Sequence, residues 1–457
     1  MKKVITLLLI AIIILSCKKE NIDYAVVNGL IKNLDRKEIY LGETLIKLNE
    51  DGSFLDTLNV EEGKKYLVIY DTNNNLTDLY VENGEHLVVT YDAKDYKNTL
   101  SFSGSAADAC KYLDIKANIS NRIKNEASEV YKLSEVEFLN KFEAIKLKLE
   151  DKINLLSSSV NFKSQQKRLV NYSFLRKLKL YENYHKYYTN KSDFKVLEQF
   201  NYNLKKGLSE IDYSIFEDLK ISEDYKNFLT THYFKLSENL AEEDTISLSL
   251  AYIRTISKIE NQDIKNFLAF DNANKNIKYV TELDTYYNEF MNLSTDKNHQ
   301  EIITNLYERA KIVAKGMPSP EFKDYENNDG GTSSLSDFKG KYVYIDVWAT
   351  WCGPCKSEIP YLEKIEKKYH NKNIEFISIS VDKEKDHDAW KQMIEDKQMI
   401  GVQLLADKQF KSDFIKSYSI NAIPRFILLD PDGKIIDSSA PAPSQERLID
   451  LFNEHSI

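Results

Sequence analysis

Cys352 and Cys355, at the ends of Cys352-Gly353-Pro354-Cys355, are the side chains best spaced for chemistry in this 457-residue sequence. Two chemistries use such a pair. As thiols, the cysteines can close into a disulfide and exchange it with other sulfurs. As thiolates, they can supply half of a tetrahedral zinc site, which needs two more ligands from a second such pair or a closely spaced His pair. The seven histidines are scattered singly, and the nearest, His370 and His387, have no ligand spacing. Disulfide exchange is therefore favoured, and neither a metal nor a cofactor is expected.

The position of the pair suits that chemistry. An apolar run over 342–347 reads as a buried strand, and a helical stretch begins at Cys355. The free N–H groups and positive dipole end of a helix stabilise a thiolate, so Cys352 should ionise well below the ~8.5 of an ordinary thiol. Pro354 fits because the first helical turn needs no donor from it. Further apolar strand runs at 374–381 and 426–429, with a helical pattern over 388–397, make an alternating α/β region.

The rest of the chain falls into regions of different composition. All eight prolines lie between Pro318 and Pro443, and all three tryptophans (Trp348, Trp351, Trp390) share that stretch, which sets a boundary near Gly316. Between Ser105 and Lys315 the only glycine is Gly207, and the segment reads as helices. There Phe138, Phe142, Ile145, Leu149, Ile153 and Leu156 recur at helical spacing. Ser134 and Glu137 fit a capping box, with Leu133 and Phe138 placed as a hydrophobic staple. The many tyrosines of this region are expected to be half-buried packing residues. Before it, strand-like runs such as 65–70 and 86–91 are punctuated by Asn49-Glu50-Asp51-Gly52 and Glu82-Asn83-Gly84-Glu85, the turn chemistry of a small antiparallel β-domain, read as a sandwich. The expected organisation is a leader over 1–16, a β-domain over 17–104, an all-α region over 105–315 and an α/β domain over 316–457.

The N-terminus predicts export. Lys2 and Lys3 precede an apolar run over 4–15, too short to span a bilayer, and Ser16-Cys17 follow. Ile14-Leu15-Ser16-Cys17 resembles the bacterial lipobox, which implies that Cys17 is acylated and becomes the mature N-terminus. Lys18 is not the Asp that usually retains lipoproteins at the inner membrane, so the outer membrane is favoured. With Cys17 lipidated, Cys110 is left over and is read as a small buried apolar residue, the other reading being a thiol that forms mixed disulfides. A net charge of -9 argues against a nucleic-acid partner.

Asp346-Val347-Trp348-Ala349-Thr350-Trp351-Cys352-Gly353-Pro354-Cys355-Lys356 resembles the active-site stretch of thioredoxins, and is most similar to that of exported TlpA/ResA-like thiol–disulfide oxidoreductases. Pro360 corresponds to the proline of their active-site helix, Ile423-Pro424 to the cis-proline loop, and Asp430-Pro431-Asp432-Gly433-Lys434 to a late hairpin turn. The resemblance covers 316–457 and implies a thioredoxin fold there. It implies that Cys352 is the exposed, attacking sulfur and Cys355 the buried, resolving one, with Asp346 or Glu358 accepting the resolving proton. Trp351, Gly353, Pro354, Ile423 and Pro424 would contact the substrate. Arg425 departs from the Thr common at that position, so substrate preference should differ. The implied partners are disulfide-bearing envelope proteins, an unidentified electron donor, and the membrane through the lipid anchor. The β-domain followed by helices and a redoxin domain resembles lipoproteins of Bacteroidota in architecture alone.

Disulfide exchange has two rivals. A thiol peroxidase of peroxiredoxin type needs a Pro and a Thr before its cysteine, where this chain has Ile345 and Ala349. An envelope binding lipoprotein would use the β-domain and helical region to capture a ligand, with the redox domain ancillary.

Overall fold

The computed structural model describes residues 23–60 and 63–457, so the leader and Cys17 lie outside the described residues. The chain forms two compact units. One holds the described residues through Asp212 with Ile221–Tyr225, and the other holds Tyr213–Lys220 with Lys226–Ile457. The helical region is thus divided between them.

The first unit contains two four-stranded sheets. One has the order β4-β1-β7-β8 and the other β3-β2-β5-β6, with β1 at Tyr24–Lys32, β2 at Glu38–Leu41, β3 at Thr44–Lys47, β4 at Ser53–Asn59, β5 at Lys64–Asp71, β6 at Leu76–Glu82, β7 at His86–Asp92 and β8 at Ser101–Ser103. Alternation along β1 buries Ala25, Val27, Gly29 and Ile31, and the side chains of Ala25, Val27 and Ile31 share one core with Ile39, Ile69, Leu79 and Val89 from both sheets. Pairing is antiparallel except between β1 and β7, which run parallel. The Asn-Gly turn at Asn83-Gly84 forms, with Gly84 at φ 77°, but it joins strands of different sheets rather than a hairpin. Turn residues fix a local reversal; the apolar faces decide which strand is the neighbour.

The helix Glu135–Leu155 starts on the expected capping box: the Glu137 N–H donates to Ser134 Oγ, and the Ser134 N–H donates to Glu137 Oε2 at 3.1 Å. Phe138, Phe142, Leu149 and Ile153 are its buried face, and Leu133 packs in the same cluster as Phe138. With no proline or glycine to interrupt it, the next helix runs for 30 residues, Val160–Thr189, and ends on left-handed Asn190. The tyrosines divide rather than being uniformly half-buried: Tyr181 is fully buried and donates its hydroxyl to the Leu133 carbonyl at 2.7 Å, whereas Tyr187 and Tyr202 are largely exposed. Cys110 lies in the sandwich core, fully buried, within 3.5 Å of the Tyr80 backbone. Burial pushes its thiol up to about 12, which favours the inert packing role over mixed-disulfide chemistry.

In the second unit a seven-stranded sheet has the order β10-β9-β13-β12-β11-β14-β15, with β9 at Tyr325–Asn327, β10 at Thr332–Ser333, β11 at Tyr342–Trp348, β12 at Ile374–Ser380, β13 at Val402–Leu405, β14 at Arg425–Leu429 and β15 at Ile435–Asp437. β11 lies between parallel β12 and antiparallel β14. Its alternation sends Val343, Ile345 and Val347 into one core with Trp390 and Leu404, and Tyr344 into another with Leu362, Phe426 and Phe452. A strand buried on both faces explains why its apolar residues do not alternate with polar ones. Asp346 interrupts that run. Among the described residues, no helix is long and apolar enough to cross a membrane.

Candidate active site

β11 ends at Trp348 and the chain turns through Ala349-Thr350-Trp351 into the helix Gly353–Tyr369, which continues through Pro360. Cys352 is the N-cap residue and Pro354 sits in the first turn, where its missing N–H costs nothing. Cys352 and Cys355 are joined by a disulfide with an S–S distance of 2.00 Å. The Cys355 N–H points at Cys352 Sγ from 3.1 Å. In the reduced protein the same donor would face a thiolate at the positive end of the helix.

The expected contrast between an exposed and a buried sulfur is absent in the oxidised state: Cys352 is 4% and Cys355 3% exposed. The disulfide bond turns each sulfur toward the other, and the neighbouring loop covers them. That loop carries the cis peptide Ile423-Pro424. The Ile423 carbonyl oxygen lies 3.7 Å from Cys352 Sγ, a van der Waals contact because a disulfide sulfur has no proton to donate. Trp351 remains 58% exposed beside the pair, its ring 6.3 Å from that of Phe410. Gly353 has open space around its Cα.

The two carboxylates proposed as proton acceptors differ sharply. Asp346 is buried, its Oδ1 has no hydrogen-bond partner, and burial, with the Glu358 charge nearby, pushes its carboxyl up to about 8. Such a group holds its proton at acidic pH and can cycle it near neutrality. Glu358 is half-buried, and Ser444 occupies both of its oxygens, the Oγ donating at 2.8 Å and the backbone N–H at 2.9 Å. Its effect on the site runs through its charge on Asp346.

Two further carboxylates were not singled out from the sequence. Glu366, on the same helix as Cys355, is buried and pushed up to about 8 by burial and by the negative charges of Asp346, Glu363 and Glu375. Asp382 follows β12 and is 1% exposed. It accepts the Thr350 N–H at 2.9 Å, the Thr350 hydroxyl at 2.7 Å and the Ser380 hydroxyl at 2.7 Å. It therefore braces the turn that presents Trp351 and Cys352. An apolar strand run that stops on an Asp, parallel to the motif strand, was the available signal. Replacing Asp382 with Asn keeps the size but leaves one acceptor oxygen for three donors. We expect Asp382→Asn to lose about 2–3 kcal/mol in urea unfolding, close to the loss for Asp382→Ala.

Comparison with known proteins agrees with this geometry. The Redoxin family model matches residues 314–451. The thiol-disulfide oxidoreductase ResA of Bacillus thuringiensis is 32% identical over 136 residues, 30% of this chain and 74% of that protein. ResA of Bacillus subtilis is 27% identical over 143 residues, 31% of this chain and 75% of that protein. Among solved structures, the thioredoxin domain of a thiol-disulfide oxidoreductase from Bacteroides vulgatus is 33% identical, covering 31% of this chain and 97% of that one, with a TM-score of 0.28. A thiol-disulfide oxidoreductase from Bacteroides fragilis is 28% identical, covering 31% of this chain and 99% of that one, with a TM-score of 0.27. A Cys352–Cys355 disulfide at a helix N-terminus, a cis-proline loop beside it, and this level of identity across most of ResA lead to one conclusion: the chain belongs to the ResA/TlpA-like thiol-disulfide oxidoreductases of the thioredoxin superfamily.

Proposed function

We propose that this enzyme is exported, anchored by lipid on Cys17, and reduces or isomerises disulfides of envelope proteins through the Cys352/Cys355 couple. The carrying observation is the closed Cys352–Cys355 disulfide at a helix N-terminus, with the Cys355 N–H 3.1 Å from Cys352 Sγ.

In the reduced enzyme the Cys352 thiolate attacks one sulfur of a client disulfide. One S–S bond breaks, a mixed disulfide forms, and the first client sulfur leaves as a thiolate that takes a proton from water. Cys355 then gives its proton to Asp346 and attacks Cys352 Sγ. The second client sulfur leaves, and two electrons have passed from the enzyme dithiol to the client. A donor dithiol must reverse the change on the enzyme, or, in isomerisation, a client thiol attacks and regenerates Cys352. Trp351, Gly353, Pro354, Ile423 and Pro424 line the approach to Cys352 and would hold the client backbone there.

The charged start, short apolar run and Ser16-Cys17 junction support the export reading, and Lys18 favours an outer-membrane, periplasm-facing placement. Residues 17–104 and 105–315 would stand between anchor and redox domain 316–457.

Cys355→Ser expressed in the native host tests the proposal. With the resolving thiol gone, client proteins should accumulate as reductant-sensitive adducts on Cys352 in the membrane fraction, and adding Cys17→Ser should move those adducts into the soluble fraction. An adduct-free Cys355→Ser protein, in cells whose wild-type enzyme is fully reactive, would count decisively against client exchange.

A further inference from the structure

A cleft of about 630 Å³ opens beside the cis-proline loop, within the second compact unit. One wall comes from the helices Gln262–Asn276 and Lys297–Ile312, and the other from the redox domain on either side of Ile423-Pro424. It lies near the active site: Phe410 lines it, and the Phe410 ring is 6.3 Å from that of Trp351.

Its lining is one-signed. Lys275, Lys278, Arg309, Lys416 and Arg425 contribute to it, and no Asp or Glu does. Lys275 is neutralised by Asp271 at 2.6 Å, whereas among the described residues no carboxylate lies within ion-pair distance of the other four. Four uncompensated cations facing one cavity stand out in a chain of net charge -9. Arg425 is held in place rather than free to swing. Its Nη1 donates to Ser439 Oγ at 2.8 Å, its guanidinium lies 5.3 Å over the Tyr279 ring, and its buried Nε has no partner. The phenol of Tyr279 feels the same field: burial would raise it, but Lys278 and Arg425 carry it below the ordinary tyrosine range.

We propose that this cleft recognises an acidic polypeptide segment flanking the client disulfide, with the helical region supplying half of the recognition surface. The inference deepens the exchange reading above and rests on it. A client chain crosslinked to Cys352 must pass the Ile423-Pro424 loop, and the very next residue, Arg425, lines the basic cleft. Lys278 and Arg425 meet at the Tyr279 ring, at 4.9 and 5.3 Å, and Arg309 and Lys416 add charge from the two walls, so a client segment with several carboxylates complements the whole lining. Charge complementarity of this kind acts on encounter and register, so it should appear in kcat/KM and fade with salt.

Three synthetic peptides, each closed by one disulfide and flanked by glutamates, glutamines or lysines, test it against the full chain in detergent, pre-reduced. The glutamate peptide should oxidise the wild type about 10- to 100-fold faster than the lysine peptide at low salt, with most of the difference gone at high salt. Arg309 and Lys416 are exposed, so Arg309→Glu with Lys416→Glu should fold normally. This double variant should cut the rate with the glutamate peptide about tenfold and leave the glutamine peptide within about twofold. Arg309→Gln with Lys416→Gln should fall between. Equal rates for the glutamate and lysine peptides, or an unchanged preference in the reversed-charge variant, overturn the cleft assignment while leaving exchange intact. Failure of the wild type on all three peptides overturns both.

Discussion

Cys352→Ser is expected to reduce disulfide turnover to the level of the small-molecule reductant alone, a loss on the order of 10³-fold or more in an insulin-reduction assay. A serine hydroxyl is not ionised near neutral pH, so it cannot replace the thiolate as nucleophile. Cys352 also offers a second measurement. Its Sγ caps the helix and accepts the Cys355 N–H at 3.1 Å, and both effects favour the anion. Alkylation of the reduced enzyme by iodoacetamide should therefore already be fast at pH 6–7 and level off well below the ~8.5 of a free thiol. Cys110 should stay unmodified in the folded protein, since it is fully buried and its thiol is pushed up to about 12. A Cys352 that alkylates only above pH 8 would remove the physical basis of the mechanism.

The parts of the site that sequence reading reached are those set by local order. Cys352 and Cys355 are neighbours on one helical turn, and strand, turn and helix follow one another without interruption. Asp346 was reached through the family resemblance, and its burial follows from a strand that is covered on both faces. The capping box at Ser134 is equally local.

What was not legible depends on chain segments meeting from far apart. Ser444 reaches Glu358 across 86 residues and takes both of its oxygens. Asp382 reaches Thr350 across 32 because β11 and β12 pair in parallel with Trp348 opposite Ser380. No turn signal encodes either contact. The sandwich makes the same point: Asn83-Gly84 specified a tight turn correctly, yet the strands it joins belong to different sheets, and β1 found a parallel neighbour in β7. Arg425 was noticed as a departure from thioredoxin, but its contact with Tyr279 needed the helical region to pack beside the redox domain. The cysteine pair was thus read from spacing, and the contacts of Asp382 and Ser444 only from the fold.

Asp346→Asn should produce opposite changes in stability and activity. The Asp346 carboxyl is pushed up to about 8 in the folded protein by burial first and the Glu358 charge second, against an ordinary value of 3.8. Between those values the folded state holds a proton that the unfolded state has lost, so Asp346 lowers stability progressively as pH rises from about 4 to about 8. Asparagine cannot ionise. The variant should match the wild type near pH 4 and exceed it by about 2–4 kcal/mol at pH 8. Because Trp348, Trp351 and Trp390 all lie in the redox domain, tryptophan fluorescence in urea reports that domain's unfolding. Some pH dependence will survive in the variant, since Glu366 is also pushed up to about 8; the difference between the two proteins isolates Asp346. The same substitution removes the acceptor we propose for the Cys355 proton. Release of client from the Cys352 mixed disulfide should slow by about 10²-fold at neutral pH, with formation of that mixed disulfide little changed. A variant no more stable than wild type at pH 8, yet resolving at the wild-type rate, would mean that the buried carboxylate neither ionises nor accepts the proton. A variant that gains stability as its resolution slows would show that the domain tolerates an unpartnered buried acid for the sake of that one proton transfer.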